Sequence, residues 1–139
     1  MMTESERAAV RCDPTQQTLG MRLAELAVGF LRTTEARDIE RARLMIGPGF
    51  SATFPRGRHF PSLDAWLESS KSTYIRIAKR FERIDITITG EDSGVVHCSG
   101  TLHGERFDAK PLDGFRFIDR FEIRTGRIVD QQVWNDLAP

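Results

Sequence analysis

From about Ile84 onward the apolar residues of this chain stop recurring every three or four positions and start to alternate. That change of period restricts the possible folds more than any other feature. Ile84, Ile86 and Ile88 alternate with Asp85, Thr87 and Thr89, and Gly90-Glu91-Asp92-Ser93-Gly94 supplies a turn. Val95 to His103 reads as a second strand, followed by a longer polar connection from Gly104 to Gly114. In the third strand Phe115, Phe117, Asp119, Phe121 and Ile123 share one face, with Arg116, Arg120, Glu122 and Arg124 on the other. Thr125-Gly126 is a tight hairpin into a fourth strand, Arg127 to Trp134.

The first half is helical in period. Leu19, Leu23, Leu26, Ala27, Phe30 and Leu31 form one stripe. Ile39, Ala42, Met45 and Ile46 form a second, starting near Asp38 and stopped by Gly47-Pro48-Gly49, with a short extended piece from Phe50 to Phe54. Ser62 is placed to cap a third helix, with Asp64 in its first turn and Leu63, Trp66, Leu67, Ser70, Tyr74, Ile77, Ala78 and Phe81 as its inward stripe. The expected fold class is therefore α+β: N-terminal helices packed on a curved antiparallel sheet, with a pocket between them. Residues 1–15 are expected as a flexible polar tail and residues 16–139 as one domain, a length that supports one hydrophobic core.

Composition narrows the partners. Twenty basic and twenty acidic side chains leave no net charge, so the basic footprint of a nucleic-acid binder is missing. No apolar run approaches a membrane span, and the polar first residues lack a signal-peptide core, which predicts a cytoplasmic protein with Cys12 and Cys98 as free thiols.

Asp119 is the first candidate for chemistry. A carboxyl among Phe115, Phe117, Phe121 and Ile123 is desolvated, which raises its pKa toward neutrality and suits acid or base work. The competing reading is a structural carboxyl paired with an arginine. His97 assists Asp119 if its face of the second strand lines the pocket; otherwise it joins the polar face turned to solvent or to a partner. His97 and His103, about 20 Å apart along a strand, cannot share a metal, and no zinc spacing occurs, so no metal is expected. Trp66 and Tyr74 either pack in the core or offer polar tips to a ligand. Gln131, Val133 and Asn135 share one face of the last strand, and Trp134 lies on the other.

The order of these elements, together with Phe117-Ile118-Asp119-Arg120-Phe121-Glu122-Ile123, the Gly126 hairpin, Arg127-Ile128-Val129 and Val133-Trp134-Asn135-Asp136, resembles the cone-shaped fold of nuclear transport factor 2-like, SnoaL-like and ketosteroid isomerase-like proteins. Ala36-Arg37-Asp38-Ile39-Glu40 is similar to their usual break between the first two helices. The resemblance implies a cystatin-like α+β cone whose pocket takes a small hydrophobic molecule, cyclic or like a polyketide, steroid or terpenoid, without a cofactor. It implies pocket positions at Phe30, Phe54, Phe117, Phe121, Gln131, Val133 and Asn135, and a homodimer through the outer sheet face that carries Trp134. It also sets Asp119 where ketosteroid isomerases keep a protonated carboxyl that donates to an oxyanion. The partner tyrosine of those enzymes falls near Phe30 and their general base in Thr53-Phe54-Pro55, so two of three polar groups are absent. Two classes of function stay open: an acid–base isomerase, dehydratase, cyclase or hydrolase using Asp119, and a non-catalytic ligand-binding or dimerisation module.

Overall fold

Two strands enter the sheet in parallel, which makes it mixed and not purely antiparallel as the alternating runs imply. The computed structural model describes residues 2–70, 74–106 and 111–137, with the backbone alone for residues 74, 75 and 106. In chain order the elements are α1 (Glu4–Ala8), β1 (Val10–Arg11), a 3₁₀ turn, α2 (Gln17–Glu35), α3 (Ile39–Arg43), β2 (Ile46–Phe54), a second 3₁₀ turn, β3 (Arg58–Phe60), α4 (Leu63–Ser70), β4 (Tyr74–Gly90), β5 (Ser93–Arg106), β6 (Pro111–Arg124) and β7 (Arg127–Asn135). The strand order is β1-β4-β5-β6-β7-β2-β3, with β1 parallel to β4 and β2 parallel to β7. The helices pack on one face of this curved, unclosed sheet.

The long helix α2 carries the stripe the sequence predicts, burying Leu23, Ala27, Phe30 and Leu31. It ends where Arg37 turns left-handed at φ 58, with the Arg37 and Asp38 N–H groups donating to the carbonyls of Thr34 and Thr33. That is the Schellman closure of a helix, at a position usually filled by glycine. Asp38 caps α3. Gly47-Pro48-Gly49 does not end a helix; these residues lie inside β2, which begins at Ile46.

The largest departure from the sequence reading is the third helix. It stops at Ser70, and the chain from Tyr74 onward is the 17-residue strand β4. Irregularities in the β4–β5 register between Tyr74 and Arg76 and between Phe81 and Arg83 each insert a residue. Such bulges bend a strand and shift which residues face in. Phe81 and Ile84 consequently both point inward and are buried, which mimics helical spacing. Gly100 makes the second bulge possible, since a Cβ there would lie 1.9 Å from the Arg80 carbonyl oxygen.

The expected N-terminal tail is also structured. Thr3 and Glu6 form a reciprocal capping box on α1, Met2 and Ala9 join the core, and Ile84 N–H donates to the Ala9 carbonyl. Too few apolar residues lie there to show a period. At the closed end of the cone Phe30 packs edge-on against Phe121 and beside Phe50, with centroids 5.9 and 5.8 Å away.

Candidate functional site

At the open end the side chains do not meet, and a cavity of about 430 Å³ remains. Its walls come from the C-terminal turns of α2, the β2–β3 corner, α4, and the inner faces of β4 to β7. Phe54 anchors one side, stacked on Trp66 with centroids 5.5 Å apart and edge-on to Phe60 at 5.4 Å. Opposite them lie Phe117 and Val133, with the amides of Gln131 and Asn135. A mainly apolar cleft with a few converging polar groups is the usual form of a small-molecule site.

Asp119 lies behind this wall and not on its surface. The register pairs it with Cys98 on β5 and Val133 on β7, and its side chain is fully buried. Among the described residues neither carboxylate oxygen has a hydrogen-bond partner. Its neighbouring cation is Lys79, whose Nζ stands 3.6 Å from Oδ2. Burial pushes the Asp119 carboxyl above the ordinary carboxylate range, and the Lys79 charge and the nearby Gln131 amide only partly oppose this. Burial and the neighbouring Asp119 likewise raise the Cys98 thiol, which leaves it inert.

Lys79 lines the cavity itself, and its Nζ sits 5.3 Å from the Phe117 ring centroid, a cation–π contact. It is held from both sides of its own peptide: Lys79 N–H donates 2.9 Å to Glu35 Oε1, and Arg32 donates 2.9 Å to the Lys79 carbonyl. Arg32 also pairs with Glu35 at 3.2 Å and with Glu6. Sequence reasoning missed Lys79 because it fell on the polar side of the expected helix. The signal that finds it is the inward alternation Ile77, Lys79, Phe81 just upstream of the bulge.

The remaining candidates separate. His97 pairs across the sheet with Asp85 and Arg120, so it occupies the face opposite Asp119 and cannot assist it. Phe30 and Phe121 belong to the closed end and do not border the cavity. Phe54, Trp66, Phe117, Gln131, Val133 and Asn135 do border it. Tyr74 lies at the start of β4, and its side chain falls outside the described residues. Among the described residues no three His, Cys, Asp or Glu side chains gather as a metal site requires, and no helix is long and apolar enough to cross a membrane.

No protein-family model matches the chain, and no curated protein matches it in sequence. Solved structures do match. A candidate polyketide cyclase from Bacillus cereus ATCC 10987 superposes with a TM-score of 0.70 at 20% identity, over 92% of this chain and 84% of that one. An NTF2-like protein of unknown function from Burkholderia pseudomallei K96243 gives 0.69 at 13% identity, over 83% and 91%. A candidate polyketide cyclase from Xanthomonas campestris pv. campestris gives 0.64 at 15% identity, over 84% and 92%. At these identities the likeness is one of fold.

Proposed function

The chain has the cone fold of nuclear transport factor 2-like proteins and of the candidate polyketide cyclases it superposes on, and from that premise we propose that its cavity binds a small, largely apolar cyclic molecule and acts on it by cofactor-free acid–base chemistry at Lys79 and Asp119. The observation that carries this reading is an unsatisfied buried carboxyl whose cationic neighbour faces the cavity. Buried charges are normally fully paired, and perturbed groups of this kind concentrate at functional sites.

The roles differ from those expected of Asp119 alone. Lys79 meets the ligand: its ammonium offers a hydrogen bond to a carbonyl or phenol oxygen, stabilises negative charge developing on that oxygen and is the acid placed to donate to it. Asp119 is a positioning residue. Its carboxyl, 3.6 Å from Lys79 Nζ, holds the ammonium at the cavity wall. Two free thiols, one buried, suit a reducing cytoplasm.

The test is a thermal-unfolding screen of the wild type, Lys79→Met and Asp119→Asn against cyclic ketones, phenols and terpenoids, since a ligand that binds only the folded state raises the melting temperature. Cyclic ketones or phenols should stabilise the wild type, and Lys79→Met should remove that shift. If none of these compounds shifts the wild type, the reading fails. Turnover of a stabilising compound that is insensitive to Lys79→Met would equally remove the catalytic assignment.

A second reading concerns the outer face. Ile118 and Trp134 pair across β6 and β7 and are 44% and 51% exposed. A neighbouring apolar pair on a sheet surface is the kind of patch a homodimer buries.

A further inference from the structure

The cavity is unusually rich in positive charge for so apolar a site. Arg37, Arg56, Arg58 and Arg76 line it together with Lys79. One carboxylate, Glu35, shares that lining, and it is already engaged by Arg32 and by the Lys79 N–H. Arg58 makes no ion pair among the described residues; its guanidinium lies over Phe60, 5.8 Å from the centroid. Arg37 donates 3.2 Å to the Ser70 hydroxyl, a neutral partner. Arg76 is 3.7 Å from Glu105 with both side chains exposed, a pair too loose and too wet to cancel its charge.

The backbone carries an independent mark. Arg56 occupies a left-handed conformation, at φ 69, inside the second 3₁₀ turn. Glycine or asparagine is more comfortable there, and side chains kept in such a conformation concentrate at functional sites. That turn and the Arg37 closure of α2 each bring an arginine to the one cavity.

We propose that the cavity selects amphipathic anions: ring compounds whose apolar body lies against Phe54, Trp66 and Phe117 while a single oxyanion group, a carboxylate or a phosphate monoester, meets the arginines led by Arg37 and Arg58. This deepens the reading above, on which it rests, by naming the substrate class. A guanidinium binds such oxygens through charge-assisted, paired hydrogen bonds, which a neutral amide of the same shape cannot replace.

The experiment is calorimetric titration of the full chain with 2-naphthylacetate, 2-naphthyl phosphate and 2-naphthylacetamide in low and moderate salt. At least one anion should bind about tenfold more tightly than the amide, with that advantage shrinking as salt rises. The tighter anion names the oxyanion group. The double variant Arg37→Asn, Arg58→Gln should keep its melting temperature and its affinity for the amide but lose the preference for the anion; asparagine is chosen because it tolerates the left-handed backbone. Equal binding of amide and anions, or an anion preference that survives in the double variant, overturns this inference and leaves the apolar-ligand reading standing. No binding by any of the three removes both.

Discussion

Among the described residues two carboxyl side chains are buried, and they live in opposite surroundings. Glu6, 4% exposed, accepts from the Thr3 N–H at 2.8 Å and pairs with Arg32. Burial alone would raise its pKa, but the Thr3 and Arg32 hydrogen bonds and the Arg32 charge outweigh it, and the group is held below the ordinary carboxylate range. Asp119, with no exposure at all, has no close hydrogen-bond partner among the described residues, only the opposing pull of Lys79 and Gln131, and burial wins. The same functional group is thus held charged by its partners at the N-terminal segment and pushed toward its protonated form by burial behind the cavity. Arg32 joins the two regions: it grips Glu6 on one side and the Lys79 backbone, beside Asp119, on the other.

The strongest way to break this comparison is Arg32→Met. It strands Glu6 in the core without its cation and releases both Glu35 and the Lys79 carbonyl. Loss of one partner of a buried pair typically costs about 3 kcal/mol, to be read in urea unfolding at pH 7. Glu6→Gln is milder, about 2 kcal/mol at pH 7, the scale of a hydrogen bond to a charged group. The sign follows from its lowered pKa: Glu6 contributes stability above its unfolded value of 4.5 that disappears as pH falls through its folded value, so the gap between wild type and Glu6→Gln should close in acid. Asp119→Asn has the smallest effect and the opposite slope. With a raised pKa, the stability Asp119 contributes is complete below its unfolded value of 3.8 and is lost as pH rises through its folded value. Melting temperatures across that range should therefore show the wild type losing ground to Asp119→Asn as pH increases. Parallel slopes for Glu6→Gln and Asp119→Asn would erase the distinction between the two carboxyls.

The downstream half of the fold is legible in the sequence because each of its strands has one wet and one buried face, so period two is written directly into Ile84 to Ile88 and Phe115 to Ile123. The type I′ character of Thr125-Gly126, both at positive φ, is equally plain. Asp119 could be placed on the inner face for the same reason. The upstream half of β4 was misread because bulges spaced Ile77, Phe81 and Ile84 like a helix, and that error hid Lys79. His97 could not be assigned by alternation alone: deciding which of Val96 and His97 faces the helices requires the cross-strand partner, and only the register with Asp119 through Cys98 supplies it. Residues 2–11 dock through an ion pair, a two-residue strand and the buried Met2 and Ala9, none of which has a periodic signature.

The bulge at Glu82 decides which side chains of the upstream half of β4 enter the cavity. Phe81 pairs with Gly100, Arg83 with Ser99 and Ile84 with Cys98, so Glu82 is the extra residue, and were it drawn into regular pairing, strict alternation from Ile84 would turn Glu82, Arg80 and Ala78 inward. Lys79 and Phe81 would then stand on the outer face, with no site residue replaced. The place of Lys79 in the cavity wall is therefore held by a backbone irregularity, which the missing Cβ of Gly100 leaves room for.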